Sequence, residues 1–190
     1  MSVDAQVASQ LAERDLKGAA ETVMREYGPG IRGLLLTLFR RNPDAAEEAF
    51  SHFAEHLWRH LGTFRGESSV RTWVYCLARN SAVSVTRDGW RKLGRPLQTR
   101  DFERLVEEVR TRSAVRLERH ASALESLRDA LDLDEQTLLS LRLDERLPWE
   151  EIAQVMSSGG EPIDAATVRQ RFSRLKARLG ELARRQGLIR

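Results

Sequence analysis

The chain has 190 residues, 41% of them apolar and 31% charged, with a formal net charge of +3 at pH 7. That length allows one domain or two small ones, and the composition suits a soluble globular protein. No apolar run approaches membrane length and the N-terminus lacks a signal peptide's apolar core, so a cytosolic protein with no membrane insertion is expected.

Helical periodicity dominates from end to end, and no alternating β-branched run suggests a sheet. Residues 4–27 read as a first helix stopped by Gly28-Pro29-Gly30. A short apolar helix from Ile31 to Arg41 follows. Asn42-Pro43 is then a start signal, because Asn caps and Pro fits the first helical position. This third helix runs to about Leu61, with Gly62 as its stop. Ala46, Phe50, Phe53, Leu57 and Leu61 recur at three- and four-residue steps and make its buried stripe. Asp44, Glu48, Ser51 and Glu55 follow the same steps on another face, an acidic stripe with no partner expected within its own helix. It reads equally as a solvated face or a docking surface.

The loop from Gly62 to Ser68 contains two glycines, and Ser68 or Ser69 can cap the next helix, about 70–88. Val70, Trp73, Val74 and Leu77 are its expected core face, with Arg71, Tyr75 and Arg79 on another. Trp73 reads more as core than as a stacking face, and Tyr75 fits either role. Gly89, Gly94 and Pro96 mark a boundary. A partly helical linker over 93–122 carries a periodic Phe102, Leu105, Val106 and Val109. It also holds Arg100, Arg104, Arg110, Arg112, Arg116 and Arg119. Three helices near 121–131, 134–145 and 149–157 precede a turn from Ser157 to Pro162. A long basic helix, Ile163 to Arg185, closes the chain.

Charge is unevenly spread. Residues 65–100 hold eight Arg and Lys against Glu67 and Asp88, and residues 161–190 hold eight against Glu161, Asp164 and Glu181. Local surpluses of this kind attract polyphosphate. Catalytic signatures are missing: there is no phosphate-binding glycine loop, no dinucleotide fingerprint and no metal quartet. Ser68 and Ser69 are better explained as caps than as nucleophiles, and Asp132, Asp134 and Glu135 fit helix starts. Cys76 is the sole cysteine, which excludes an internal disulfide, and it reads as a small core residue. His52, His56 and His60 stand at helical spacing without a metalloprotease pattern and read as exposed helix histidines, and His120 is isolated. No enzyme, cofactor or metal is expected.

Residues 147–179 fit a helix-turn-helix. Trp149, Ile152, Ala153 and Met156 would face inward from its first helix, and Val168, Phe172, Leu175 and Leu179 from its second. Thr167, Arg169, Gln170 and Arg171 would stay exposed at the start of the second helix, where such motifs enter the major groove. Arg reads guanine bidentately, Gln reads adenine, and Thr contacts phosphate or a thymine methyl.

With these residues in view, the chain resembles the extracytoplasmic-function sigma factors, the small two-domain branch of the sigma-70 family. Three segments carry the likeness: Ala45-Ala46-Glu47-Glu48 through Leu57-Trp58-Arg59-His60; Phe64 through Arg79-Asn80; and Leu147-Pro148-Trp149-Glu150-Glu151-Ile152-Ala153 with Thr167-Val168-Arg169-Gln170-Arg171. The resemblance implies an all-α fold of two small helical domains joined by the linker. Residues 1–22 would be an N-terminal extension, 23–92 region 2 and 123–187 region 4. It implies docking on core RNA polymerase (the β′ clamp and the β flap), with Asp44, Glu47, Glu48, Ser51, His52 and Glu55 at the clamp. Arg65, Ser68, Ser69, Arg71, Trp73, Tyr75, Arg79 and Asn80 would capture the melted −10 promoter element, and Thr167, Arg169, Gln170, Arg171 and Arg174 would read the −35 element. An anti-sigma protein is a further implied partner. The chain departs from the family where Ser51-His52 replaces a Gln-Glu pair, in a longer turn before Thr167, and in its Arg-rich helical linker. A stand-alone helix-turn-helix regulator and a helical adaptor are the competing readings. The first has no need of the segment from Arg71 to Asn80, and the second has no need of paired basic clusters.

Overall fold

The computed structural model describes residues 1–88, 104–109, 127 and 130–185, whose regular structure is all helical, with no strand among them. The chain divides into two compact units, Met1–Arg116 and Leu117–Arg190. The boundary signals at Gly89, Gly94 and Pro96, most of the 121–131 helix, Phe102, His120 and all the linker arginines except Arg104 lie outside the described residues.

The first unit contains α1 (Val3–Ala12), α2 (Leu16–Leu38), α3 (Pro43–His60), a 3-10 turn (Leu61–Thr63) and α4 (Val70–Asp88). This corrects the expected helix over 4–27. The break falls at residues 13–15, where Arg14 has a φ of 61° and Asp15 accepts a hydrogen bond from the Gly18 N–H at 2.8 Å. Gly28-Pro29-Gly30 is no stop, because α2 runs through it and takes in most of the separate helix expected at Ile31–Arg41. Packing explains why. An internal Pro costs about 3 kcal/mol. Val23, Met24, Ile31 and Leu35 are each 0% exposed, and burying such a side chain stabilises by about 1.5–3 kcal/mol. Their sum outweighs the Pro. Gly28 is part of the same close fit: a Cβ there would lie 2.8 Å from Met24 Sδ and 3.1 Å from Val109 Cγ1. Leu105, Val106 and Val109, from the helical stretch at 104–109, are buried, so this part of the linker packs as core.

The expected bounds of α3 hold. Asn42 Oδ1 accepts from the Ala45 N–H at 3.1 Å, Pro43 opens the helix, and Ala46, Phe50, Phe53, Leu57 and Leu61 are all buried. Phe50 and Phe53 stack with ring centroids 5.9 Å apart. The bounds of α4 hold as well, but its buried face does not. Val70, Thr72, Val74, Tyr75, Ala78, Arg79, Ser81 and Ala82 are buried, while Trp73, Cys76 and Leu77 are half-buried. Helix α4 packs against α1, α2 and α3, so most of its circumference is enclosed.

The second unit contains α5 (Leu133–Leu143), α6 (Trp149–Ser157) and α7 (Ala165–Arg185). Asp132 and Glu135 form a reciprocal capping box at the start of α5, with bonds of 2.8 and 3.1 Å. Helix α7 starts two residues later than expected. Asp164 accepts from the Thr167 N–H at 2.7 Å and so holds the cap position. Ile152, Ala153 and Met156 meet Val168, Phe172 and Leu175 in the core. Trp149 is half-buried, edge-on to Phe172 at 5.3 Å, with the Arg142 guanidinium 4.3 Å from its ring centroid. Leu179, expected to face inward, is half-buried, and the inward row ends instead at Ala183.

Candidate nucleic-acid interface

In the second unit the structure leaves the expected arginines and Gln170 open, but not Thr167, which was expected to be exposed. Arg169, Gln170, Arg171 and Arg174 are exposed and Thr167 is half-buried, while Val168, Phe172 and Leu175 anchor α7 from the other side. A helix buried along one stripe leaves its polar face free for a groove. The long turn before α7 is well organised. Ser157 Oγ donates to the Ala153 carbonyl at 2.7 Å and accepts from the Ile163 N–H at 2.9 Å, so one hydroxyl closes the turn. Asp164 titrates below the ordinary carboxylate range, chiefly because Thr167 hydrogen-bonds its charged form through side chain and backbone.

Not every cation of α7 faces outward to a partner. Arg178 donates to both oxygens of Glu135, at 2.5 and 2.7 Å, and to the Ala130 carbonyl at 2.8 Å. It ties α7 to the start of α5. Beside it, Asp132, Asp134 and Glu135 share a cavity of about 310 Å³ with Arg171, Arg174 and Arg178. The acids of this helix start therefore stand next to cations of α7.

In the first unit the loop after α3 carries an exposed cation, Arg65. Arg65, Gly66 and Glu67 are exposed, Phe64, Ser68 and Ser69 are half-buried, and Gly66 has a φ of 72° that suits glycine. Phe64 lies against Trp73 with centroids 5.1 Å apart, closing the base of the loop. Ser69 is the cap: its Oγ accepts from the Thr72 N–H at 3.0 Å and pairs with the Thr72 hydroxyl at 2.9 Å. Ser68 instead donates to the Ser69 carbonyl at 3.3 Å. Arg71 and Asn80 are half-buried. Tyr75 is 1% exposed and Arg79 9%. Tyr75 therefore has no ring face to offer a base, which corrects its place among the stacking residues. Arg79, expected on an open face, lies inside it.

The acidic face of α3 is also partly committed. Glu47 pairs with Arg32 of α2 at 2.5 Å, where the Arg32 side chain is 10% exposed. Glu55 pairs with Arg59 on its own helix, contrary to the expectation that the stripe has no partner there. Ser51 donates to the Glu47 carbonyl at 2.9 Å. Asp44 is exposed and Glu48 half-buried. His52 and His56 are half-buried and only His60 exposed, which corrects the reading of three exposed histidines. Burial, then His60 and His52, push His56 below its ordinary value. Among the described residues no cluster of three His, Cys, Asp or Glu side chains is arranged to hold a metal, and no helix is long and apolar enough to cross a membrane.

Two structural residues were not expected. Arg32 sits in an otherwise apolar run, and that lone cation was its only signal. Asp4 accepts from the Val70 N–H at 2.7 Å, and its partner lies too far along the chain for any local pattern to show it.

Among the described residues the regular structure is all helical, with an exposed Arg65 before α4 and exposed Arg169, Arg171 and Arg174 on α7. Residues 23–92 match the family Sigma-70 region 2. The chain is 30% identical over 169 residues to the ECF RNA polymerase sigma-E factor of Haemophilus influenzae, covering 84% of this chain and 85% of that protein. It is also 30% identical over 178 residues to the RNA polymerase sigma-H factor of Pseudomonas aeruginosa, covering 88% and 89%. The chain belongs to the extracytoplasmic-function branch of the sigma-70 family. It is a sigma factor that directs promoter-specific transcription initiation, with core RNA polymerase and promoter DNA as its partners.

Proposed function

We propose a division of labour among four surfaces. The exposed part of the acidic α3 face, Asp44 and Glu48 with His52 beside them, docks on the polymerase β′ clamp. The second unit engages the β flap. The loop Gly62–Ser69, with Arg65, Ser68, Ser69, Arg71, Trp73 and Asn80, captures an unstacked base of the −10 element. Thr167, Arg169, Gln170, Arg171 and Arg174 read the −35 duplex. Glu47, Glu55, Tyr75 and Arg79 serve these surfaces from inside, as ion-pair partners and core.

The observation that carries this reading is the loop itself, an exposed tip with a cation over a base closed by the Phe64–Trp73 ring pair. A melted base needs a stacking surface and a cation for its phosphate, and unstacking costs a few kcal/mol that such contacts offset. A regulator that binds only duplex DNA has no use for such a loop. The polymerase supplies the chemistry, so the chain needs no catalytic group. Work on chromosomal DNA puts the protein in the cytoplasm, and an anti-sigma protein that covers the α3 face would silence it. Run-off transcription over a genomic promoter library, with and without this protein on bacterial core polymerase, tests the reading. Protein-dependent starts that share two spaced elements are expected. No stimulation, together with tight duplex binding by the protein alone, would make it a stand-alone regulator.

A further inference from the structure

The segment before residue 23 lies outside the stretch that matches region 2, yet it holds both ends of the proposed −10 loop. At the far end, Asp4 accepts from the Val70 N–H at 2.7 Å. Val70 is the first residue of α4, and its amide is one of those a helix start leaves without an intrahelical partner. Ser69 satisfies Thr72 two positions on, so the start of α4 draws acceptors both from its own segment and from a different element. A carboxylate at this place also meets the positive end of the helix. At the near end, the Leu16 side chain lies against the exposed Gly62: its Cδ2 is 3.2 Å from where a Cβ on Gly62 would stand. Leu16 is 46% exposed, so its apolar surface is only partly used in the core.

Helix α1 is itself firmly seated. Val7 is 0% exposed. Gln6 Nε2 donates to Thr22 Oγ1 at 3.3 Å, and that hydroxyl donates on to Gln10 Oε1 at 3.1 Å. Between the two anchored ends, residues 65–67 are exposed. The loop is thus free at its tip and held at both feet by the first 16 residues.

We infer that the N-terminal segment is a strut for promoter opening, with Asp4 as the positioning residue that fixes the start of α4 and Leu16 as the support of Gly62. This rests on the reading of Gly62–Ser69 as the base-capturing loop. Preorganised contacts speed capture because the loop's ordering entropy is spent in folding and not at the promoter.

The test uses the full chain on core polymerase at a promoter mapped by run-off transcription. Asp4→Ala, Asp4→Asn and the loop variant Arg65→Ala/Ser68→Ala are compared with the parent. The readouts are permanganate reactivity of unpaired −10 thymines and affinity for core polymerase. Asp4→Ala is expected to slow opening roughly threefold to tenfold, the scale of a lost cap, with core affinity unchanged. Asp4→Asn keeps an acceptor oxygen and restores opening. Normal opening by Asp4→Ala beside a defective loop variant overturns the strut. Normal opening by both variants overturns the loop reading and the strut with it. Loss of core affinity in step with opening makes Asp4 a stability residue only and also overturns it. If Asp4→Ala does not fold, the partly exposed Leu16→Ala decides by the same readouts.

Discussion

Helices α4 and α7 carry the same kind of sequence, arginines at helical spacing with apolar residues between, and the fold uses them in opposite ways. Helix α7 packs on α5 and α6 along one stripe, so Arg169, Gln170, Arg171 and Arg174 remain outside. Helix α4 is enclosed by α1, α2 and α3, so Tyr75 and Arg79 go inside, and the exposed arginine lies in the preceding loop at Arg65. A cationic pattern marks a binding face only when the helix is packed from one side. The number of neighbours decides, and helical periodicity does not report it.

The sharpest way to break this contrast is Tyr75→Ala. A ring buried to 1% exposure should cost about 3–5 kcal/mol when truncated. Urea unfolding measures it, and a cost below about 0.5 kcal/mol would return that face of α4 to solvent and to DNA. Next is Glu47→Gln, which leaves the Arg32 guanidinium without its carboxylate in a largely dry site and should cost roughly 1–3 kcal/mol. Glu55→Gln, whose Arg59 partner is 47% exposed, should stay within about 0.5 kcal/mol by the same assay. Equal losses would mean that both acids are surface groups and Glu47 rejoins the docking face.

On α7 the expected pattern is reversed. Arg169→Ala and Arg171→Ala should each weaken promoter binding by the holoenzyme by roughly 1–3 kcal/mol if each reads a base, while leaving thermal unfolding unchanged. Unchanged promoter affinity in both would remove them from the reading set, and a lowered melting temperature would move them to the structural side. The smallest effect is in acid. Asp164 titrates lower when folded, so its capping contribution is present above the ordinary carboxylate range. That contribution is lost as pH falls below about 4 and through the folded value. Asp164→Asn should flatten this acid dependence, and an unaltered acid profile would show that the cap is not felt.

Some of this was legible in the sequence and some was not. Asn42-Pro43, Ser69 and the Asp132–Glu135 pair are local signals, and each cap formed where its residues stand. Two features of the first 40 residues escape local pattern for different reasons. Gly28-Pro29-Gly30 is a strong stop by propensity, but burial along α2 overrides it. The break at Arg14 has no glycine to announce it. The acidic face of α3 is legible in the sequence, but the ion pairs with Arg32 and Arg59 that occupy Glu47 and Glu55 depend on side-chain reach.

By itself, the sequence determined the helical class, the bounds of α3, α4 and α6, the two basic clusters and the family, because these rest on short-range periodicity, caps and ordered motifs. Only the tertiary structure decided which arginines are available, where Tyr75 points, and that Asp4 and Leu16 brace a loop more than 40 residues away in the chain. Those properties depend on how many neighbours enclose a helix and on contacts between distant residues, and neither leaves a local trace in the order of the amino acids.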